Sequence, residues 1–337
     1  MRRKLFFLAS AILAFALVYR AMSFTPELVS FSGPTMGTTY TVKFYTTENI
    51  QAPWSIKADV DAVLLHVNKL MSTYDTESEI SRFNQTSANT SMQISDEFAY
   101  VLDKALLISS MSAGEYDVTV GPLVNLWGFG PGKHSDEVPT DEAIDLAKQR
   151  VGYEYLQLDN RTLSKQKDIY VDLSSIAKGY GVDAVAQKLA SLGIHSYLVE
   201  VGGEIQAQGV KPDGSPWQVA IESPAGGHNI VQKIIDANDM AIATSGDYRN
   251  YFEKQGVRYS HTISPVTGRP ITHRLVSVTI IDKTATMADG LATAITVLGP
   301  EKGLAFAQQH GIAAYMLVKQ DFGFEELVSS AFEPYLH

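Results

Sequence analysis

Hydrophobic and polar positions change their period several times along this chain, and each change marks an element. Residues 37–46 ("GTTYTVKFYT") alternate in the two-residue rhythm of a strand. Residues 55–75 ("SIKADVDAVLLHVNKLMSTYD") then shift to helical spacing, with Val60, Val63, Leu64, Val67 and Leu70 on one stripe. A second helix is predicted over 95–112, closed by Gly114, and a third over 141–151 after the loop 128–140, rich in Gly, Pro and charge. The second half adds a helix over 176–192 and a strand pair around Gly202-Gly203 within 196–210. It continues with β-rich runs at 217–222, 239–244, 257–263 and 275–282, and helices over 285–298 and 300–310. Strands follow strands here as often as they follow helices. That order predicts an α+β fold with mixed, largely antiparallel sheets and flanking helices, not a doubly wound parallel sheet. No long linker, repeat or low-complexity tract interrupts it, so one folded unit is expected over 24–337.

The amino terminus breaks the pattern. "MRRKLFFLASAILAFALVYRAMSF" is a basic tip followed by about fourteen apolar residues, Leu5 to Val18. Such a run falls short of the roughly 20 residues that span a bilayer comfortably. Residues 1–23 therefore read as an export signal, with Ala21 and Ser23 as a small-x-small cleavage site before Phe24, or as a signal anchor if uncut.

Composition narrows the partners. Of 337 residues 45% are hydrophobic, enough for a substantial core. The formal net charge of −10, from 27 basic and 37 acidic side chains with no interleaving of Lys/Arg and aromatics, argues against nucleic acid. There is no cysteine, which excludes disulfides, thiolate metal sites, Cys nucleophiles and a lipid on a signal-peptide cysteine.

Several segments could carry chemistry. In "MADGLATAITVLG" (287–299) Asp289 lies four places before Thr293, so on a helix the carboxylate and hydroxyl share one face and supply half of a hard-cation site. The alternative is an acid that complements the dipole at its helix start. In "VDLSSIAKGYGVD" (171–183) a β-like "IYVDL" runs into Ser174, Ser175 and a helix with Lys178, Gly179 and Gly181. Free N–H donors, a lysine and close-approach glycines suit a phosphate; equally, a serine there could merely cap the helix. Neither a Walker A loop nor GxGxxG is present, and Gly202-Gly203 fits a tight hairpin. "GEYDVTVGPLVNLWGFG" (114–130) sets Trp127 and Phe129 among glycines, as a slot for a planar ring or simply as core. His261, in a strand-like run, is either a structural histidine or a general base.

Taken in order, "PTMGTTY" (34–40), "MSTYD" (71–75), "YDVTVGPLVNLWGFG" (116–130), "VDLSSIAKGYGVD", "VEVGGEI" (199–205), "ATSGDYRNY" (243–251), "YSHTISPVTGRP" (259–270) and "MADGLATAITVLG" closely resemble the periplasmic FAD:protein FMN transferases, the ApbE-like family. The resemblance implies a T-fold-like catalytic unit that binds FAD with Mg2+, releases AMP and joins FMN to a threonine or serine hydroxyl of an exported acceptor, such as a subunit of a membrane redox complex. It assigns metal coordination to Asp289, Thr293 and a backbone carbonyl at Ser175. Flavin or nucleotide contacts fall to Met36, Tyr74, Glu115, Tyr116, Asp117, Asp172, Lys178 and Ile263, and proton acceptance to His261. It implies an exported, periplasmic protein, free or tethered to the inner membrane by its first segment. Many of that family carry a signal-peptide cysteine for lipid attachment, which this chain lacks. The other readings are a Mg2+-dependent FAD pyrophosphatase on the same site and a non-catalytic flavin-binding protein.

Overall fold

A computed structural model of the chain describes residues 25–131, 137–223, 231–246, 251–254 and 257–336. The export leader expected at 1–23 lies outside them. The chain runs through β1 (Leu28–Thr35), β2 (Thr38–Tyr45), α1 (Pro53–Met71), α2 (Glu79–Asn84), β3 (Ser91–Gln93), α3 (Asp96–Met111), α4 (Gly121–Leu126) and α5 (Asp141–Lys148). It continues with β4 (Leu156–Asp159), β5 (Thr162–Lys165), α6 (Ala177–Ser191), β6 (Tyr197–Val201), β7 (Glu204–Gln208), β8 (Trp217–Glu222), β9 (Val231–Ala237) and β10 (Met240–Gly246). It closes with β11 (Tyr251–Lys254), β12 (Val257–Ser260), β13 (Leu275–Asp282), α7 (Ala285–Leu298), α8 (Pro300–His310), β14 (Ala313–Lys319) and β15 (Phe324–Val328).

The expected α+β class holds. Eight strands form one antiparallel sheet in the order β1-β2-β6-β7-β10-β13-β14-β15, with β3-β5-β4, β8-β9 and β11-β12 as small satellites. Two turns set its register. Met36 and Gly37 (φ 48° and 72°) close β1 onto β2, and Gly202 and Gly203 (φ 60° and 104°) close β6 onto β7. Positive φ at both central residues matches the right-handed twist of the strands, as the tight hairpin expected at Gly202-Gly203 requires.

Both faces of the sheet centre are covered. On β14, Ala314, Met316 and Val318 join the helix-side core, while Ala313, Tyr315 and Leu317 face Trp217, Ile235 and Phe332 on the other. A strand buried on both faces is continuously apolar and shows no alternation, which is why the sequence pattern passes over β14. β1, α2, β3 to β5, α4, β9 and β15 are likewise absent from that pattern, most of them being too short to display a full period.

The helices match their periodicity closely, with two differences. α1 ends at Met71 because Ser72 is extended (φ −80°, ψ 117°), and its carbonyl receives the Ser78 hydroxyl at 2.7 Å. α5 stops at Lys148 instead of 151. The β-like "IYVDL" is not a strand at all: its main chain pairs with the Asn84 side chain and the Val118 carbonyl rather than with a ladder. His261 falls just after β12, not within it. Among the described residues no helix is long and apolar enough to cross a membrane.

Helices α6 and α7 lie on the sheet and cross at Gly179. A Cβ there would sit 2.2 Å from the Ala285 carbonyl oxygen and 2.8 Å from the Asp289 Cβ, so only glycine permits the approach. Each helix caps the other. Asp183 of α6 accepts the N–H groups of Ala285 and Thr286 at 2.8 and 2.9 Å, plus the Thr286 hydroxyl. Asp289 of α7 accepts the Gly179 N–H at 2.9 Å. We expect Gly179→Ala to lower stability by about 3 kcal/mol, the upper range for overpacking a core, because the obstruction is main chain that cannot rotate away. Urea unfolding monitored by tryptophan fluorescence measures this, and an unchanged midpoint would show the crossing to be slack.

Candidate functional site

The crossing of α6 and α7 delivers Asp289 to one end of a cleft of about 1130 Å³. The chain contributes to its walls from the start of β2, from 115–129, from the turn before α6, from the β6–β7 hairpin, from the end of β10, from 261–265 and from one face of α7. No single segment supplies it.

The polar part is built around Lys178. Its ammonium reaches Glu204 Oε1 at 2.6 Å and Asp289 Oδ1 at 3.4 Å, and both carboxylates are buried. Burial alone would lower the Lys178 ammonium, but the charges of Asp289 and Glu204 outweigh it and raise it, so it stays protonated. Burial raises both acids, against the pull of Lys178 and, for Asp289, of the Gly179 N–H. Two buried carboxyls beside one ammonium favour keeping a proton between them rather than ionising both. Glu204 Oε2 is buried with no hydrogen-bond partner among the described residues while the acids are ionised; with a proton between them the two carboxyls can pair.

Hydroxyls extend this end of the cleft. Ser175 Oγ lies 2.9 Å from the Tyr116 hydroxyl, whose own ionisation is pushed up by burial. Thr293, one turn beyond Asp289 on α7, is 3.4 Å from Ser245 Oγ. Asp172 accepts the Ser174 N–H at 2.9 Å and so shapes the turn that carries Ser175. Asp117 is spent within the fold: Oδ1 takes the Thr119 N–H and hydroxyl, both at 2.7 Å, and Oδ2 takes the Tyr153 N–H at 2.9 Å. Burial raises its carboxyl, against the lowering effect of these donors. Glu115 sits toward the rim, 3.2 Å from Lys302.

The other part is apolar. Val120, Val124, Trp127, Phe129, Ile263 and Pro265 line it. Trp127 is fully buried, stacks on Tyr259 with centroids 5.7 Å apart, and donates its indole N–H to the Gly268 carbonyl at 2.8 Å. Trp127 is thus both core and cleft wall. His261 stands at its edge, with its ring against Phe129 at 6.4 Å.

Of the residues singled out in the sequence, Glu115, Tyr116, Asp117, Asp172, Ser175, Lys178, His261, Ile263, Asp289 and Thr293 all line this cleft. Met36 and Tyr74 do not. Met36 occupies the β1–β2 turn and packs toward Gly181, and Tyr74 is 70% exposed beyond the end of α1. The phosphate-cradle argument at the start of α6 needs correction. The N–H groups of Ile176 and Ala177 go to the Leu173 carbonyl and that of Gly179 to Asp289, so these donors are engaged and Gly179 serves helix packing. Neither serine caps the helix, since its N-cap, Ile176, receives no side-chain cap bond. Glu204 and Ser245 are participants that sequence reasoning passed over. The signal for Glu204 was an acid directly after the Gly-Gly turn, in an inward register position of β7.

The donor set fits a hard divalent cation. Asp289 offers a carboxylate, Thr293 a hydroxyl on the same helix face, and Ser174 and Ser175 line the cleft from the turn before α6. Among the described residues no three His, Asp or Glu side chains gather as a metal cluster, so such a site depends on neutral oxygens.

Residues 36–316 match the model of the ApbE family. The chain is 50% identical over 311 residues to a FAD:protein FMN transferase of Vibrio cholerae, covering 92% of this chain and 93% of that one. It is 46% identical over 328 residues to one of Haemophilus influenzae, covering 95% of each. Among solved structures, the flavin transferase ApbE from Vibrio cholerae superposes with a TM-score of 0.87 at 49% identity, covering 93% of this chain and all of that chain (100%).

Removing the ammonium tests the electrostatic account. Lys178→Met leaves Asp289 and Glu204 buried together without a cation, and we expect a loss of about 3 kcal/mol in urea unfolding without divalent metal. Adding Glu204→Gln should return part of that loss, because one of the opposed charges is gone. Strict additivity of the two changes would contradict a shared charge cluster.

Proposed function

The chain belongs to the ApbE family, and from that we propose that this flavinyltransferase moves the FMN half of FAD to a threonine or serine hydroxyl of an exported acceptor protein, with Mg2+ bound and AMP released. One arrangement carries the reading: a buried carboxylate on α7, held by the first turn of α6 and by Lys178, in the same cleft as an apolar slot lined by Trp127 and Phe129.

A dinucleotide with a planar ring at one end and a diphosphate in its middle matches both parts of that cleft. The aromatic and aliphatic wall would receive the isoalloxazine ring, whose burial removes apolar surface from water. The diphosphate would then lie toward Lys178. Mg2+ would be held by Asp289, Thr293 and the Ser175 carbonyl, and when bound it supplies neutralisation of diphosphate charge. Its charge would also favour release of the proton that Asp289 and Glu204 hold between them.

Phosphoryl transfer asks the protein mainly for alignment and charge. The acceptor hydroxyl oxygen forms a bond to the FMN phosphorus, the bond from that phosphorus to the AMP oxygen breaks, and the hydroxyl proton goes to a base. His261, at the edge of the slot, is our assignment for that base. Lys178 stabilises charge on the departing phosphate, and Tyr116 with Asp172 holds the Ser174–Ser175 turn in place.

The basic, apolar leader supports action in the periplasm, free or tethered to the inner membrane, on exported domains of membrane redox complexes. Co-expression with such an exported acceptor, followed by mass spectrometry, should show an FMN adduct on threonine. AMP release from FAD that ignores the acceptor, with no flavin-fluorescent protein band, would point instead to a pyrophosphatase. We expect Asp289→Ala to abolish transfer. His261→Ala should slow turnover by about 10²–10⁴-fold with FAD still bound; equal loss of binding, measured by flavin fluorescence, would reduce His261 to a wall of the pocket.

A further inference from the structure

The turn that carries Asp172 and Ser175 enters the cleft from a segment with no strand partner. Residues 169–173 belong to no strand and no sheet. Their main-chain groups are held by side chains from elsewhere. Asn84, the last residue of α2, uses its amide as a substitute strand: Nδ2 donates to the Val171 carbonyl at 2.9 Å, and Oδ1 accepts the Val171 N–H at 2.7 Å. Lys165, at the end of β5, is fully buried, and its ammonium donates to two carbonyls, Asn84 at 3.0 Å and Ile169 at 3.1 Å. The ring of Phe83 lies 5.4 Å from that ammonium.

A buried lysine is costly, and here burial lowers its ammonium. A fold that needed only apolar filling at this position would do as well with methionine. The lysine joins the carbonyl of Asn84 to the carbonyl of Ile169, the two pieces of chain that the Asn84 amide also joins. We propose that Lys165 and Asn84 are positioning residues for flavin transfer, fixing residues 169–171 and thereby the Asp172–Ser175 turn against the cleft. The Asp172 N–H bond to Val118, at 2.7 Å, is the third point of attachment and aligns this segment with the 115–119 wall. Beyond it the geometry propagates by short local bonds: Asp172 to the Ser174 N–H, Leu173 to the N–H groups of Ile176 and Ala177, and Ser175 to Tyr116. Neither Lys165 nor Asn84 lines the cleft, so neither is a catalytic residue.

The proposal rests on the transferase reading above, and its test separates the two. Full-length wild-type protein, Asn84→Asp and Lys165→Met are assayed with FAD, Mg2+ and a threonine-bearing acceptor domain, with rates expressed per folded molecule from circular dichroism. Asn84→Asp keeps the shape but turns the donor that faces the Val171 carbonyl into an acceptor. Lys165→Met keeps the length and removes the donor to the Asn84 and Ile169 carbonyls. For both we expect kcat to fall about 10–100-fold, as for groups that orient a reactive site, with KM for FAD moving far less. The activity of Asn84→Asp relative to wild type should recover as pH falls from about 8 to about 5, because burial raises the new carboxyl and its protonated form can donate again. Lys165→Met should show no such recovery. Lower melting temperatures with unchanged kcat per folded molecule would overturn the proposal, and Lys165→Met by itself is enough to overturn it if Asn84→Asp does not fold. Absence of an FMN adduct with wild-type protein would instead sink the transferase reading; the positioning effect is then read from AMP release.

Discussion

Two helices that cap each other hold this structure's working end together. Asp183 of α6 receives the first N–H groups of α7, and Asp289 of α7 receives the Gly179 N–H in the first turn of α6. Hydrogen bonds to a charged partner contribute roughly 1.5–3 kcal/mol each, and here they also fix axial position, since each carboxylate must meet a specific turn. The contact is possible only because residue 179 lacks a Cβ. What results is a carboxylate carried by one helix and placed at the start of another, beside Lys178.

The chemistry of the cleft follows from that placement. Asp289 and Glu204 share one ammonium, and burial favours a proton held between the two acids. A fold retains such a buried polar cluster at a cost in stability. The apolar wall around Trp127 contributes the opposite quality, an uncharged surface held rigid by its bond to Gly268 and its stack on Tyr259. Two kinds of environment, one apolar and one polar, thus meet within one cavity.

Rigidity is distributed in the same way. The segment 169–172, which leads into the Ser174–Ser175 turn, is held not by a sheet but by Asn84, Lys165 and Val118, from three separate segments. Side-chain amides and a buried ammonium can satisfy main-chain groups without continuing a ladder, so the chain is free to turn into α6 immediately afterwards.

Much of this was legible in the sequence. The stripes of α1, α3 and α7, the alternation of β2 and β8, and the Gly-Gly hairpin are local consequences of period and turn chemistry, and they sufficed for the α+β class. The pairing of Asp289 with Thr293 on one helix face was likewise a matter of spacing. Other features were not local. β14 shows no alternation because both its faces are buried, and "IYVDL" looks like a strand because its composition is that of one, though its partners are an asparagine and a loop carbonyl. The part of Gly179 in packing, the meeting of Lys178 with Glu204 and Asp289, and the role of Asn84 all join residues far apart in the chain. The sequence by itself determined which segments could be helix or strand and which side chains could bear charge or bind oxygen. Only the tertiary structure decided which of them meet, because that depends on how closely two helices can approach and on which buried polar groups find partners.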